Sequence, residues 1–312
     1  MNSAYKISNE TPLSVCEQSE TWGGKWTEEK LNAFEKYVKA YLVIMGKYAP
    51  RFNWKLIYFD GFAGSGSRNE TKEDMQDSFF TELTTDEEIS IYKGSAKRVL
   101  EIDGKKFDFY YFVDTDTNAQ EKLKALLNPY KSNHTLIFRN GDANVEVRKM
   151  AEKLKNDLNL AALVLLDPFG MQLDWDSIKS LKDAKHIDLW ILVPSGVIIN
   201  RLLDRKGELS HSEKLSKFWG LTEDEIREYF YEKKTIPSLF DEDTEEIHKK
   251  EKSIELIAEL YVKRLKTIFK FVNKPLALKN SRNCTIFHFI FASNNETATK
   301  IANDIIGKGT VL

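Results

Sequence analysis

The sequence predicts an α/β fold: a doubly wound, mostly parallel sheet that finishes in an antiparallel C-terminal hairpin and carries a helical insertion. Three observations predict it. Short apolar runs alternate with amphipathic stretches between residues 54 and 193, three of those runs lead into an Asp, and the last two β-prone runs are parted only by a short polar turn. Strands separated by helices imply parallel βαβ crossovers, whereas strands joined by a tight turn must run antiparallel. At 312 residues, 42% of them hydrophobic and 15 Gly besides, the chain has the composition of an ordinary globular protein. Its length suits two domains or one large α/β unit with an insertion, and either buries a sizeable core.

From Thr27 to Tyr48, the apolar residues Leu31, Phe34, Tyr37, Val38, Tyr41, Leu42 and Met45 recur at three- and four-residue spacing, which predicts a helix with one buried face; Thr27 is its candidate cap and Pro50 its stop. Trp54–Phe59 reads as a buried strand closed by Asp60-Gly61. Residues 68–90 are polar and acidic without periodicity and read as a loop insertion, after which helix resumes around Ser95–Ile102. The alternation then runs strand Phe107–Val113, helix Thr117–Leu127, strand Thr135–Phe138, helix Ala143–Leu158, strand Ala161–Leu166, helix Trp175–Leu181 and strand Ile187–Val193. Residues 205–272 are highly charged and helical in pattern, with no strand signal. Pro275–Leu278, the turn Asn280–Asn283 and Thr285–Phe291 form the hairpin, and a helix over Glu296–Ile306 follows. The expected organisation is an N-terminal extension and helix (1–50), a core (51–204), a helical insertion suited to substrate or partner recognition (205–272), and a closing hairpin and helix (273–312).

Lys+Arg 46 against Asp+Glu 48 leaves a net charge of −2, so the overall field makes no case for a polyanion, and a nucleic acid would need a local basic patch. Cys16 and Cys284 are too few for a disulfide framework or a Cys-rich metal site, and as two thiols they fit a reducing cytoplasm. No apolar run approaches the roughly 20 residues needed to span a bilayer, and the polar stretch 1–20 has no signal-peptide core. His134, His186, His211, His248 and His288 show no metal-ligand spacing, so no metal site is expected.

Four segments carry candidate chemistry. Asp60-Gly61-Phe62-Ala63-Gly64-Ser65-Gly66-Ser67 follows the first strand directly, and its glycines allow close approach of backbone to a ligand at the carboxyl end of the sheet. Asn69 stands where a dinucleotide fingerprint needs its third Gly, no Gly-Lys-Ser/Thr follows, and Ser65 is flanked by Ala63 and Ser67 rather than by the glycines of a nucleophile elbow. A plain Gly-rich turn is the alternative. Asp114 ends the second strand, where a carboxylate accepts bonds from both ribose hydroxyls; Asp116, two residues on, is the competitor or a helix cap. Asp142, before Ala143, suits either an adenine amine or an N-cap. In Asp167-Pro168-Phe169-Gly170, the acid can accept from an amine while the ring stacks on a planar base; an Asp-Pro turn is the alternative.

Together these residues resemble a class I S-adenosylmethionine-dependent methyltransferase, which implies a Rossmann-like, seven-stranded sheet with its terminal hairpin. It also implies S-adenosylmethionine as cofactor, with Asp60, Phe62, Ala63, Gly64 and Gly66 beside its methionine part, Asp114 on its ribose, and Asp142 and Ala143 near its adenine. Asp167-Pro-Phe-Gly departs from the Asp-Pro-Pro-Tyr of adenine amino-methyltransferases and is closer to the Asp-Pro-Phe-Gly of tRNA guanine N2-dimethyltransferases. About the first two-thirds of the chain also resembles the bacterial three-Cys-motif partner (TcmP) family, through Trp22-Gly23-Gly24-Lys25, Lys30-Leu31, Tyr37, Asp60-Gly-Phe-Ala-Gly-x-Gly, Gly94-Ser95, Asp167-Pro-Phe-Gly and Arg201; Ala96 replaces that family's usual Pro. This resemblance implies a companion protein bearing three cysteines. The expected function is methyl transfer to an exocyclic amine of an RNA or DNA base, with Asp167 and Phe169 catalytic and Pro168, Gly170 and Arg201 on the substrate. The alternatives are a non-catalytic binding module, or an enzyme acting on a small molecule or a protein.

Overall fold

The computed structural model describes residues 25–65, 94–168, 170–209, 211–236 and 244–308. Cys16, Trp22–Gly24, Gly66, the 68–90 insertion and Phe169 lie outside the described residues. Helix α1 (Lys25–Phe52) passes through Pro50 rather than stopping before it. Proline's φ suits a helix, so one lost hydrogen bond in the final turn is tolerated, and the chain breaks three residues later at Asn53, whose φ is +53°. Thr27 is therefore inside the helix and not its cap.

The central sheet is built from β1 (Lys55–Asp60), β2 (Phe109–Asp114), β3 (Leu136–Asn140), β4 (Leu160–Leu166) and β5 (Ile187–Val193), all parallel, in the order β3-β2-β1-β4-β5. The crossovers carry α2 (Ser95–Glu101), α3 (Thr117–Leu127), α4 (Ala143–Asn156) and α5 (Trp175–Lys179). A short α6 (Asn200–Leu202) follows β5. Then come α7 (Ser212–Trp219), α8 (Glu223–Phe230), a separate antiparallel hairpin β6 (Tyr231–Ile236) and β7 (Thr244–Lys249), and α9 (Ser253–Leu265). β8 (Phe271–Val272) and β9 (Leu276–Lys279) both pair antiparallel with β10 (Thr285–Ser293), which itself pairs antiparallel with β5; α10 (Glu296–Lys308) follows. Because β8 and β9 lie along different parts of the same side of β10, eight strands fill seven positions. The result is a Rossmann-like sheet with an antiparallel finish.

Alternate residues of each strand feed two cores, as the period-2 geometry of a strand requires. Leu56, Tyr58, Tyr110, Phe112, Leu163 and Trp190 pack under α1, α2, α3 and α10. Ile57, Phe59, Val113, Val164 and Leu189 pack under α4, α5 and the helices of the 205–272 segment. Those later helices insert Leu215, Phe218, Trp219, Phe230 and Tyr261 into that same core, so the charged segment covers one face of the sheet. Helix α1 is tied down by a buried polar bond as well: the Tyr37 hydroxyl donates to Asp188 Oδ2 of β5 at 2.7 Å, and Ser293 of β10 donates to the other oxygen at 2.5 Å.

Candidate functional site

All five parallel strands present their carboxyl ends to one edge, and the order reverses between β1 and β4, where open α/β sheets leave a crevice. Asp60 ends β1 at the floor of this crevice, fully buried. Tyr58 and Ser95 hydroxyls donate to its Oδ2 at 3.0 and 2.8 Å, and the Phe62 amide donates to its Oδ1 at 3.3 Å. Burial pushes its pKa up to about 6 despite these bonds, and the charge of Asp167 adds to the rise. Asp60 thus shapes the turn at Phe62 and joins it to the start of α2.

The turn continues through buried Ala63, whose amide donates to Val113 O, to Gly64, which adopts φ +56°, a conformation that favours glycine. The Gly64 amide donates to Asp114 Oδ2 at 2.8 Å, and the Asp116 amide to Asp114 Oδ1 at 2.8 Å. An ionised carboxylate has about four acceptor positions, so half of Asp114's capacity remains. Gly64 and Gly141 flank this half-buried acid, and a Cβ on either would meet nothing within 4 Å. Backbone therefore lies open on both sides of Asp114.

Asp116 caps α3 by accepting from the Asn118 and Ala119 amides, so of its two readings the cap is the one observed. Asp142 is exposed and caps α4 by accepting from the Asn144 amide at 2.7 Å; Ala143 beside it is buried.

Beyond β4, the Asp167 carboxylate forms an ion pair with the Lys30 ammonium, although the two are 137 residues apart in sequence. Lys30 is nearly buried, and its Nζ lies 5.6 Å from the centre of the Trp26 ring, which stacks on Phe287 at the start of β10. Pro168 is buried, and Gly170 abuts the turn after β5, since a Cβ there would meet Ile198 at 3.4 Å. Arg201 is exposed on α6, just past that turn. Ser195 Oγ lies 2.7 Å from His288 Nδ1, both buried, and burial pushes the His288 pKa down to about 4 so that the ring is neutral.

The strand ends thus gather Asp60, Gly64, Asp114, Asp142 and Asp167 along one edge. Tyr58 is a site residue that the motif reading missed, and Lys30 and Ser95 stand in it only as positions of the family resemblance, without a role. Lys30 left one signal: a cation at i+4 from Trp26 and i−4 from Phe34, on a buried helical face. Among the described residues, no group of three or more His, Cys, Asp or Glu could hold a metal ion, and no helix is long and apolar enough to cross a membrane.

Fold and site together define a Rossmann-like α/β protein with an acid-lined edge at its topological switch point. No protein-family model matches the chain, and no curated protein matches it by sequence. Among solved structures, it is similar to a conserved hypothetical protein of Streptococcus pyogenes (TM-score 0.29, 13% identity, covering 67% of this chain and 94% of that one). It is also similar to the PH0226 protein of Pyrococcus horikoshii (0.33, 12%, 87% and 93%). A third is an S-adenosylmethionine-dependent methyltransferase of Clostridium acetobutylicum (0.31, 10%, 85% and 95%). Likenesses of this size carry no argument about activity.

Proposed function

We propose that the protein is an S-adenosylmethionine-dependent methyltransferase acting on an exocyclic amine of an RNA or DNA base, in the cytoplasm, alongside a companion protein with three cysteines. The observation that carries this reading is Asp114 at the end of β2, with open backbone at Gly64 and Gly141 on either side and the neighbouring strand ending in Asp60 at the switch point. The companion rests on the resemblance to TcmP proteins alone.

When bound, S-adenosylmethionine supplies a sulfonium-activated methyl group, so the protein's task is alignment and exclusion of water. Asp114 would accept from the ribose hydroxyls with its two remaining acceptor positions, and Asp142 from the adenine amine with its other oxygen. The Gly64 turn would lie against the methionine part, its shape held from below by Asp60. Asp167 would accept one N–H of the acceptor amine and leave the nitrogen lone pair free. Asp167 would also take the proton that the amine sheds on methylation and pass it to solvent. In the reading from sequence, Phe169 stacks on the base, which in a duplex must be flipped out.

The Lys30–Asp167 pair favours a second reading. With an ammonium already on Asp167, the amine position is filled by the chain itself, as a module that binds cofactor without transferring methyl would tolerate. Two measurements, taken in turn, test these readings. In titration calorimetry with S-adenosylmethionine and S-adenosylhomocysteine, micromolar binding that is lost in Asp114→Ala supports the cofactor site, and absence of binding in the wild type overturns it. Labelled-methyl transfer to RNA or DNA with the companion present then separates enzyme from module.

A further inference from the structure

A second feature lies at the opposite edge of the sheet, where the strands begin. Four rings form a continuous row there: Tyr48 and Phe52 at the end of α1 stack with centroids 6.5 Å apart, Phe52 and Trp54 at 4.9 Å, and Trp54 and His186 at 4.3 Å. Tyr48 is 45% exposed and Phe52 55%, among the few large apolar side chains left so open. Cations interleave with the rings. Lys47 and Arg51 lie on α1 beside Tyr48 and Phe52, Lys55 follows Trp54, and Lys185 precedes His186; all four are exposed.

The surroundings leave this charge largely uncompensated. Between Glu35 and Asp60 the sequence has five Lys or Arg and no acid. Among the described acids near this edge, Asp108 accepts from the Leu56 amide and reaches Lys55 only at 3.5 Å, and Asp157 accepts from the Asn159 amide. Asp103 and Asp183 are exposed, in the loops that lead into β2 and β5. The chain as a whole is slightly acidic, so this is a local basic patch and not part of a general field.

We propose that this row is a docking surface for single-stranded nucleic acid. Exposed rings on which bases stack and cations that follow the phosphates are the two components such surfaces combine. An acidic protein would use the cations but has no need of four rings in a row. The inference extends the function proposed above by naming where its substrate is gripped. From Lys30, near the acceptor site, to Phe52, α1 runs about 33 Å at 1.5 Å per residue, so a strand held at the rings can lie along it towards Asp167. Binding here is independent of methyl transfer, and the two are tested apart.

The test is fluorescence anisotropy of a labelled oligouridylate about 12 nucleotides long, within the range of about 4–16 for one site, titrated with the full chain at low salt. The wild type should bind at micromolar concentration or tighter. Lys47→Glu with Arg51→Glu should weaken binding at least tenfold, and Phe52→Ala about fivefold or more. Lys263→Glu with Lys266→Glu, an equal charge change on exposed positions of α9 across the sheet, should weaken it less than twofold. No wild-type binding, equal loss in both double variants, or displacement of the strand by polyglutamate as readily as by unlabelled oligouridylate would each overturn the proposal; the first would point to a protein partner instead. Strand binding without cofactor binding would leave this surface standing and remove the methyltransferase reading, and the reverse result would do the opposite.

Discussion

Lys30 and Asp167 hold each other at the switch point, and removing one leaves the other's charge stranded. Loss of one member of a buried pair typically costs about 3–5 kcal/mol, but Asp167 is 23% exposed on its side chain, so about 1–3 kcal/mol is expected here. Urea denaturation should therefore show Asp167→Ala destabilised by that amount and Lys30→Met with Asp167→Ala less so, and Lys30→Met alone completes the cycle whose non-additivity is the coupling within the pair. On activity, Asp167→Ala should abolish methyl transfer while leaving cofactor affinity within several-fold, because Asp114 is untouched; retained transfer would remove Asp167 from the mechanism. The acids were legible in the sequence because each follows an apolar run at a strand end. Their partners were not, since Lys30 reaches Asp167 across 137 residues and Ser95 reaches Asp60 across 35.

At the level of elements, two glycines make opposite demands. Gly196, in the turn after β5, lies so close to β10 that a Cβ would come within 2.1 Å of the Thr285 carbonyl oxygen, and backbone cannot swing aside as a side chain can. Gly141 faces open space. Gly196→Ala should lower stability by about 1–3 kcal/mol or more and disturb the Ser195–His288 pair, whereas Gly141→Ala should leave stability nearly unchanged and act on cofactor affinity alone; thermal melts and calorimetry on both variants check this. The parallel core was legible element by element because its strands are buried on both faces and read as apolar runs. The hairpin β6–β7 was not. Its strands, Tyr-Glu-Lys-Lys-Thr-Ile and Thr-Glu-Glu-Ile-His-Lys, are largely solvent-exposed where described, so no apolar alternation marks them, and their charges pair across the ladder, as Lys233 does with Glu245 at 2.8 Å.

For the molecule as a whole, three buried groups set opposing pH dependences. Burial raises Asp60 and Asp188 to about 6, so the folded state holds protons that the unfolded chain has released, and the stability each contributes is present below about pH 4 and lost as pH rises through 6. Burial lowers His288 to about 4, so its contribution is present above about 6.5 and lost as pH falls through 4. Relative to the wild type, Asp188→Asn should lose more stability between pH 6.5 and 4.5, and His288→Gln should lose less or gain; urea midpoints at the two pH values measure both slopes. The sheet's parallel half and antiparallel finish were readable before any coordinates. The packing of residues 205–272 onto its face was not, because Leu215, Phe218, Trp219 and Tyr261 are sparse among charges and declare no partner.

Helix α1 rests on Asp188 through Tyr37 and on β10 through Trp26 against Phe287 and Tyr37 against Phe291, with ring centroids 4.8 Å apart in both pairs. The first described helix and the last strand are thus mutual partners, and during synthesis the helix leaves the ribosome more than 230 residues earlier. At about 5–20 residues per second, its apolar face waits on the order of ten seconds or more for the strand that covers it. Nascent chains stalled before β10 should accordingly engage chaperones through this helix, and a chain released with β10 complete should not.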